Sequence, residues 1–365
     1  MDTQDKSGPT RYGIVGSGWR TGFFLRLAQA MPERFTATGV VTRTAERGAE
    51  VEAQWGVPTF RTATELVAAD RPDFVIVSVP WEAAPAVTVE LVGLDVPVLS
   101  ETPPAPDLAG LRELWAAVGG SGLVQVAEQY LMMPAHAARW EVVRTGTIGR
   151  PSSVQVSSTH LYHAVSMIRL MLDVGFTETE VTSRVFTAPL ADPLSREGWT
   201  GGVEPAPAAT TLATIDFGEG RSGLYDFTDN QWFNPLRSNR IVVRGSQGEL
   251  VDDRVIRLAD PVTAIESHLV RRQTGIDLNL EGFDLDHISF DGRIVYRNPY
   301  QGARLAEDDI SVATAVERMG AWCRGEGEQP YPLAEACQDH LISLAIEESA
   351  RTGRTVHTSR EAWAR

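Results

Sequence analysis

Tyr12–Val15 is a short apolar run that ends in a cluster of glycines, and residues 16–30 then read as a turn feeding a helix. Phe35–Thr42 is rich in β-formers, and Ala45–Trp55 has a helical pattern. Thr62 followed by Glu65 is the signature of a capped helix start. Phe74–Val79 (FVIVSV) is apolar at nearly every position, as in a strand covered on both faces. Pro80 stops it, and a helix runs to about Val92. Val96–Ser100, a helix capped by Asp107 and ending near Val118, and Leu123–Ala127 complete the series. Strands separated by helical stretches of roughly ten residues build βαβ units and therefore a parallel sheet.

The pattern changes after Glu128. Ala137–Arg144 reads as a helix closed by Gly146, Val154–Thr159 as a strand and Ile168–Leu172 as helix. Val181–Thr187, Thr211–Phe217, Gly223–Phe227, Ile241–Arg244 and Glu249–Leu258 follow as alternating or aromatic strands. Asp192–Ala208 is rich in Gly, Pro and Glu and reads as a long loop, and Asp309–Cys323 and Leu333–Thr352 return to helix. The expected organisation is α/β in two domains. Residues 1–128 form a parallel α/β domain, and residues 129–365 form a second α/β domain around a large, open, mainly antiparallel sheet.

Composition narrows the function. The chain has 365 residues, 33 Lys plus Arg against 48 Asp plus Glu, and a formal charge of −15. Such an acidic balance argues against nucleic acid or an anionic membrane as the main partner. Two cysteines cannot build a disulfide framework. No run approaches the ~20 apolar residues of a membrane span. The first residues are polar, without an apolar signal segment. A cytoplasmic protein with a loose tail at residues 1–10 is expected.

The glycine cluster carries the first chemistry. Gly13-Ile14-Val15-Gly16-Ser17-Gly18-Trp19-Arg20-Thr21-Gly22 joins the first strand to the first helix. Gly16 permits a tight turn, Gly18 lets backbone approach a pyrophosphate, and the helix N-terminus directs N–H groups at the anion. Gly16, Ser17, Gly18, Trp19 and Arg20 are therefore candidate dinucleotide contacts, although Thr21 stands where the third glycine of G-x-G-x-x-G is usual. The second strand ends in Val41-Thr42-Arg43-Thr44, with no carboxylate for ribose hydroxyls. Thr42 can hydrogen-bond a 2′-phosphate and Arg43 can pair with it, so NADP is favoured over NAD.

With these motifs in order, the chain resembles the glucose-fructose oxidoreductase / inositol dehydrogenase (Gfo/Idh/MocA) family. The resemblance spans nearly the whole chain. It rests on the glycine fingerprint, Val77-Ser78-Val79-Pro80, Glu101-Thr102-Pro103 and Ala127-Glu128-Gln129-Tyr130. It continues through Gly146-Thr147-Ile148-Gly149-Arg150-Pro151, the histidines near residue 160, Tyr331-Pro332-Leu333 and Glu348–Val356. The resemblance implies a Rossmann domain followed by a domain whose open sheet face forms homodimers or homotetramers. It implies hydride transfer between a nicotinamide and a sugar or cyclitol carbon. It adds Val79, Pro80, Glu101, Thr102 and Gln129 to the cofactor contacts.

The catalytic positions depart from the family pattern. Thr102 replaces the usual lysine of Glu-Lys-Pro and can donate a hydrogen bond but carries no charge. In Ser158-Thr159-His160-Leu161-Tyr162-His163, His163 matches the family's acid–base histidine, while Thr159 stands at the usual aspartate. An imidazole titrating near ~6.5 can take and return a carbinol proton at neutral pH. His160 is a second candidate, and Tyr162 and Tyr130 are hydroxyl donors or packing groups. Trp199, Arg196, Asp226, Asp229 and Trp232 suit either a sugar face or an oligomer interface. Two histidines without further converging ligands do not make a metal site, and no G-x-S-x-G elbow occurs.

The expected function is an NAD(P)-dependent oxidoreductase acting on a sugar, cyclitol or related carbonyl compound. Two alternatives stand beside it. One is a non-catalytic protein binding a dinucleotide or a sugar. The other is an enzyme that oxidises transiently and recycles NAD without net redox change.

Overall fold

The computed structural model describes residues 8–364. The chain divides into two compact units. The first contains the chain up to Met133 together with Tyr300–Cys337, and the second contains Pro134–Pro299 with Gln338–Ala364. The single crossing expected at residue 128 is thus replaced by an excursion: the chain leaves the first unit, builds most of the second, and returns.

The first unit alternates β1 (Thr10–Val15), α1 (Thr21–Ala30), β2 (Phe35–Val41), α2 (Ala45–Trp55), β3 (Thr59–Phe60) and α3 (Ala63–Ala69). It continues with β4 (Phe74–Val77), α4 (Ala84–Gly93), β5 (Val98–Ser100), α5 (Leu108–Val118) and β6 (Val124–Val126). The strands form a six-stranded sheet in the order β3-β2-β1-β4-β5-β6, and every pairing is parallel. This is the Rossmann order, with its switch point beside β1. Tyr12 and Ile14 on β1 register with Phe74 and Ile76 on β4, and all four are fully buried. That double coverage explains the unbroken apolar runs. Thr62 accepts from the Glu65 amide at 3.1 Å, Glu65 accepts from the Thr62 amide at 3.2 Å, and Asp107 caps α5. Of the expected tail, residues 1–7 lie outside the described residues, and Thr10 already pairs in β1.

The second unit opens with α6 (Pro134–Arg144), β7 (Pro151–Ser157), α7 (Leu161–Leu172), β8 (Glu180–Leu190), β9 (Leu194–Ser195) and β10 (Gly198–Trp199). Next come β11 (Ala206–Asp216), β12 (Ser222–Thr228), β13 (Arg240–Gly245), β14 (Gly248–Val251), β15 (Arg254–Asp260) and β16 (Thr263–His268). β17 (Val270–Thr274), β18 (Asp284–Phe290) and β19 (Arg293–Arg297) form a separate three-stranded sheet. The main sheet has nine strands in the order β16-β15-β14-β13-β7-β12-β11-β8-β20, where β20 is Val356–His357. Only β12–β7 is parallel, so the sheet is mainly antiparallel as expected. One face places Val154, Val156, Tyr225, Ile241 and Val243 in the core. The other exposes Phe186 and Leu212, which are 57% and 42% accessible.

Three local expectations change. Helix α7 starts at Leu161 rather than near Ile168. Glu249–Leu258 is a hairpin of β14 and β15, turned at Asp252, which has φ 53°. The Asp192–Ala208 loop contains the small β9–β10 hairpin.

The last helices are α8 (Glu307–Cys323) and α9 (Leu333–Thr352). α8 belongs to the first unit and packs on α1 and β1. Arg26 reaches Asp309 at 2.8 Å, Arg34 pairs with Glu317, and Tyr300 donates to Glu317 at 2.9 Å. A Cβ at Gly320 would lie 2.5 Å from the Thr10 hydroxyl, so glycine permits this approach.

Candidate functional site

The turn after β1 has the form a dinucleotide needs. Gly16 has φ +117°, and a Cβ there would sit 1.9 Å from the Ser78 carbonyl oxygen. The turn therefore lies directly on the end of β4, beside half-buried Val79 and exposed Pro80. Gly18 faces open space, with nothing within 4 Å of a Cβ, so a phosphate can approach its backbone. α1 begins at Thr21 with no side-chain cap on its N-terminus; the Thr21, Gly22 and Phe23 amides close a tight turn on the Gly18, Trp19 and Arg20 carbonyls, so what the helix end offers an anion is the positive end of its dipole. Thr21 occupies the usual third-glycine position without conflict: it is buried, and its hydroxyl donates to the Gly16 carbonyl at 3.1 Å. Ser17 is held from α2, where Arg47 donates to its carbonyl at 2.8 Å. Trp19 is 61% exposed and meets Phe23 edge-on at 5.7 Å.

At the end of β2 the structure adds two cations. Thr42 is buried; its hydroxyl donates to the Thr44 carbonyl at 3.1 Å and accepts from Arg61. Arg61 also donates to the Thr44 carbonyl at 2.7 Å and to Thr59 at 3.0 Å. Thr42 thus shapes this turn, and its hydroxyl is already engaged. Arg43 is exposed beside it, and Arg47 comes from the first turn of α2. Sequence reasoning missed Arg47 and Arg61, because only folding brings α2 and the segment after β3 to this turn.

Arg20 organises the other side of the glycine turn. Its Nε donates to Glu101 at 2.8 Å, and Nη1 lies 3.7 Å from Asp308 on α8. With its amide oriented to satisfy both ends, buried Gln129 accepts from Arg20 at 3.1 Å and donates to the Ala127 carbonyl at 2.7 Å. The Arg20 guanidinium also lies 4.7 Å from the Phe23 ring centroid. Arg20 and Glu101 are only 12% and 17% exposed, so this pair is well shielded from water. Burial raises the Asp308 carboxyl above its ordinary range, against the pull of Arg20. Arg20, Glu101 and Gln129, three of the expected cofactor residues, are thus joined in one brace. Thr102 is half-buried just beyond β5, and its bond to Pro103 is cis.

The second unit brings the histidines together. His160 is the N-cap of α7 without a side-chain capping bond, and Leu161 has φ +23°. His163 and Tyr162 are buried in the first turn. The rings of His160 and His163 lie 5.2 Å apart edge-to-face, and those of Tyr162 and His163 5.4 Å apart. Burial, reinforced by His163, depresses His160 to about 3. Thr159 is fully buried, and its hydroxyl finds no hydrogen-bond partner. A charged aspartate there would be costly to bury unpaired. Ser166 donates to the His163 carbonyl at 2.9 Å. Among the described residues no group of three or more His, Cys, Asp or Glu could hold a metal. Among the described residues no helix is long and apolar enough to cross a membrane.

A six-stranded parallel sheet with this glycine turn, joined in one chain to a second unit built on a large mixed sheet, defines a Rossmann-type dinucleotide-binding protein. Residues 10–129 are similar to the Gfo/Idh/MocA family model described as "Oxidoreductase family, NAD-binding Rossmann fold". No curated protein matches the chain by sequence. Among solved structures, levoglucosan dehydrogenase in complex with NADH and levoglucosan is similar at 19% identity and TM-score 0.68, covering 97% of this chain and 100% of that one. A myo-inositol dehydrogenase from Corynebacterium glutamicum shares 16% identity at TM-score 0.65, with 97% and 100% coverage. The WlbA dehydrogenase from Bordetella pertussis, in complex with NADH and UDP-GlcNAcA, shares 16% at TM-score 0.64, with 97% and 99% coverage. At these identities the likeness is one of fold, and it extends over both units.

Proposed function

We propose that the protein is an NADP-dependent oxidoreductase acting on a carbinol carbon of a sugar, cyclitol or similar polyol. The observation that carries this reading is the Gly16–Thr21 turn, whose open Gly18 and uncapped helix N-terminus fit a pyrophosphate. Ser17, Gly18 and the start of α1 would hold the phosphates. Arg43, backed by Arg47 and Arg61, gives this end of β2 the positive charge that a 2′-phosphate pairs with and a plain ribose does not need. A bound nicotinamide supplies the hydride acceptor for oxidation, or the donor for reduction. The named substrates of the structurally similar enzymes, levoglucosan and inositol, support a polyol.

In this reading His163 accepts the hydroxyl proton as the carbinol becomes a carbonyl, and returns it in the opposite direction. Thr102 donates a neutral hydrogen bond where the family pattern has a lysine. The loss of charge at Thr102 and Thr159 favours a second reading, in which the dinucleotide is bound without turnover. Phe186 and Leu212 on the uncovered sheet face support a homo-oligomer built through that face, as dimer or tetramer.

Titration of cofactor-stripped protein with NADPH and NADH, followed by nicotinamide fluorescence, tests the first claim. Arg43→Ala should weaken NADPH by about tenfold or more and leave NADH unchanged. Failure of folded protein to bind either nucleotide overturns the reading. With a substrate found by screening polyols, His163→Ala should lower kcat by ~10²-fold or more. An unchanged kcat removes His163 from proton transfer, and cofactor binding without turnover on any polyol favours the second reading.

A further inference from the structure

His160, Tyr225, Phe227 and Trp232 line a cavity of about 440 Å³ within the second unit. That volume falls in the ~300–1,000 Å³ typical of small-molecule sites. The rings interlock into a wall. His160 meets Trp232 edge-on at 4.8 Å, Phe227 tilts against Trp232 at 4.7 Å, and Tyr225 stacks on Phe227 at 6.4 Å. Leu161, Val185 and Ile346 extend the lining with aliphatic carbon. Trp232 keeps 41% of its surface accessible. The Tyr225 hydroxyl accepts from the Leu161 amide at 3.1 Å, which fixes the ring under the start of α7.

The polar groups select by charge. Asp229 and Glu347 contribute carboxylates to the lining. Among the described lining residues the only permanent cation is Arg351, and it is engaged by Glu348 at 2.5 Å. Aromatic faces carry negative potential as well. Asp229 and Glu347 outnumber Arg351 in the lining, so a carboxylate or phosphate entering this space would meet net negative charge. His160 supplies the remaining polarity. His160 lines the cavity, its Nδ1 meets no protein hydrogen-bond partner, and a neutral imidazole both donates and accepts, so the ring can bond a neighbouring hydroxyl. The imidazole is neutral at physiological pH, since burial holds it near 3.

We propose that this cavity binds the apolar ring of an uncharged ligand whose adjoining hydroxyl bonds His160, the chemistry of an alkyl or aryl glycoside, and that it excludes sugar acids and phosphorylated sugars. The inference deepens the polyol reading above and rests on it for the hydroxylated part of the ligand; the ring-binding claim stands on the cavity alone.

Benzyl alcohol and benzoate are matched probes, a ring bearing either a neutral hydroxyl or a carboxylate. Saturation-transfer NMR on the full-length protein should show saturable binding of benzyl alcohol, in about the millimolar range for so small a ligand, with benzoate at least about tenfold weaker. Ala350→Trp, which places a large ring into the cavity from α9, should abolish the benzyl alcohol signal while circular dichroism stays unchanged. The pair Asp229→Asn and Glu347→Gln should bring benzoate to within about threefold of benzyl alcohol. Absence of saturable benzyl alcohol binding, equal or tighter binding of benzoate, or undiminished binding by the folded Ala350→Trp variant each overturns the proposal. NADPH titration of the same sample separates the two readings: benzyl alcohol binding without NADPH binding removes the oxidoreductase and keeps the cavity, and the converse removes the cavity alone.

Discussion

Position 16 meets two demands that only glycine satisfies together: a positive φ and direct contact with the Ser78 carbonyl. Position 21 meets neither, which is why threonine is accepted there and even adds a hydrogen bond. Histidines show the same dependence on surroundings. His136, on α6, is buried against Arg139, and burial followed by that guanidinium depresses it to about 3. In the unfolded chain it titrates near ~6.5. Between these values the unfolded state binds the extra proton, so this histidine makes the fold less stable as pH falls through that window. Urea unfolding at pH 7, 5.5 and 4.5 should therefore show wild type losing stability relative to His136→Gln on acidification. A constant difference between the two proteins would show that His136 is not held neutral.

At the scale of elements, helices with local caps were legible in the sequence: Thr62–Glu65 and Asp107 start helices as written. α7 was not, because His160 makes no capping bond and Leu161 takes an unusual backbone angle. β16, β17 and β19 escaped notice for a different reason. Sequences such as TAIESH and VRRQT lie largely in solvent, so no apolar face marks the period of two. The glycine turn could be read because its chemistry is contiguous. Arg61, Asp308 and the Trp232 wall could not, because tertiary folding alone assembles them. α7 and α9 are locked by Arg169 and Asp339, 2.5 Å apart and only 3% and 0% exposed. Asp339→Ala leaves a buried guanidinium without its counter-charge and should cost ~3–5 kcal/mol. Replacing both partners, by Arg169→Met with Asp339→Leu, should recover much of that loss in denaturant melts. A single variant as stable as wild type would mean that water or another group compensates Arg169.

The whole molecule leaves one broad sheet face uncovered. Leu212 lies in register with Arg184 and Asp226, and Asp226 pairs with Arg240 at 2.9 Å, so charge and apolar surface alternate across the strands. Such a surface suits a contact that is both specific and partly apolar. If the proposed oligomer forms here, Phe186→Glu should lower the sedimentation coefficient to that of a monomer without lowering the melting temperature of the protomer. Unchanged sedimentation would place the contact elsewhere.

The return of α8 to the first unit has a consequence for how such genes can be recombined. Arg20, Arg26 and Arg34 lie near the start of the chain, whereas Asp308, Asp309 and Glu317 are encoded after almost the entire second unit. A chimera made by exchanging only the first 133 residues with a relative would part each of these arginines from its carboxylate. The first unit is written as two separated stretches of sequence, and the second as two more that interleave with them. A graft that respects this nesting exchanges residues 134–299 together with 338–364 and leaves the stretches up to 133 and 300–337 in place, so that Arg169 keeps Asp339 and β8 keeps β20.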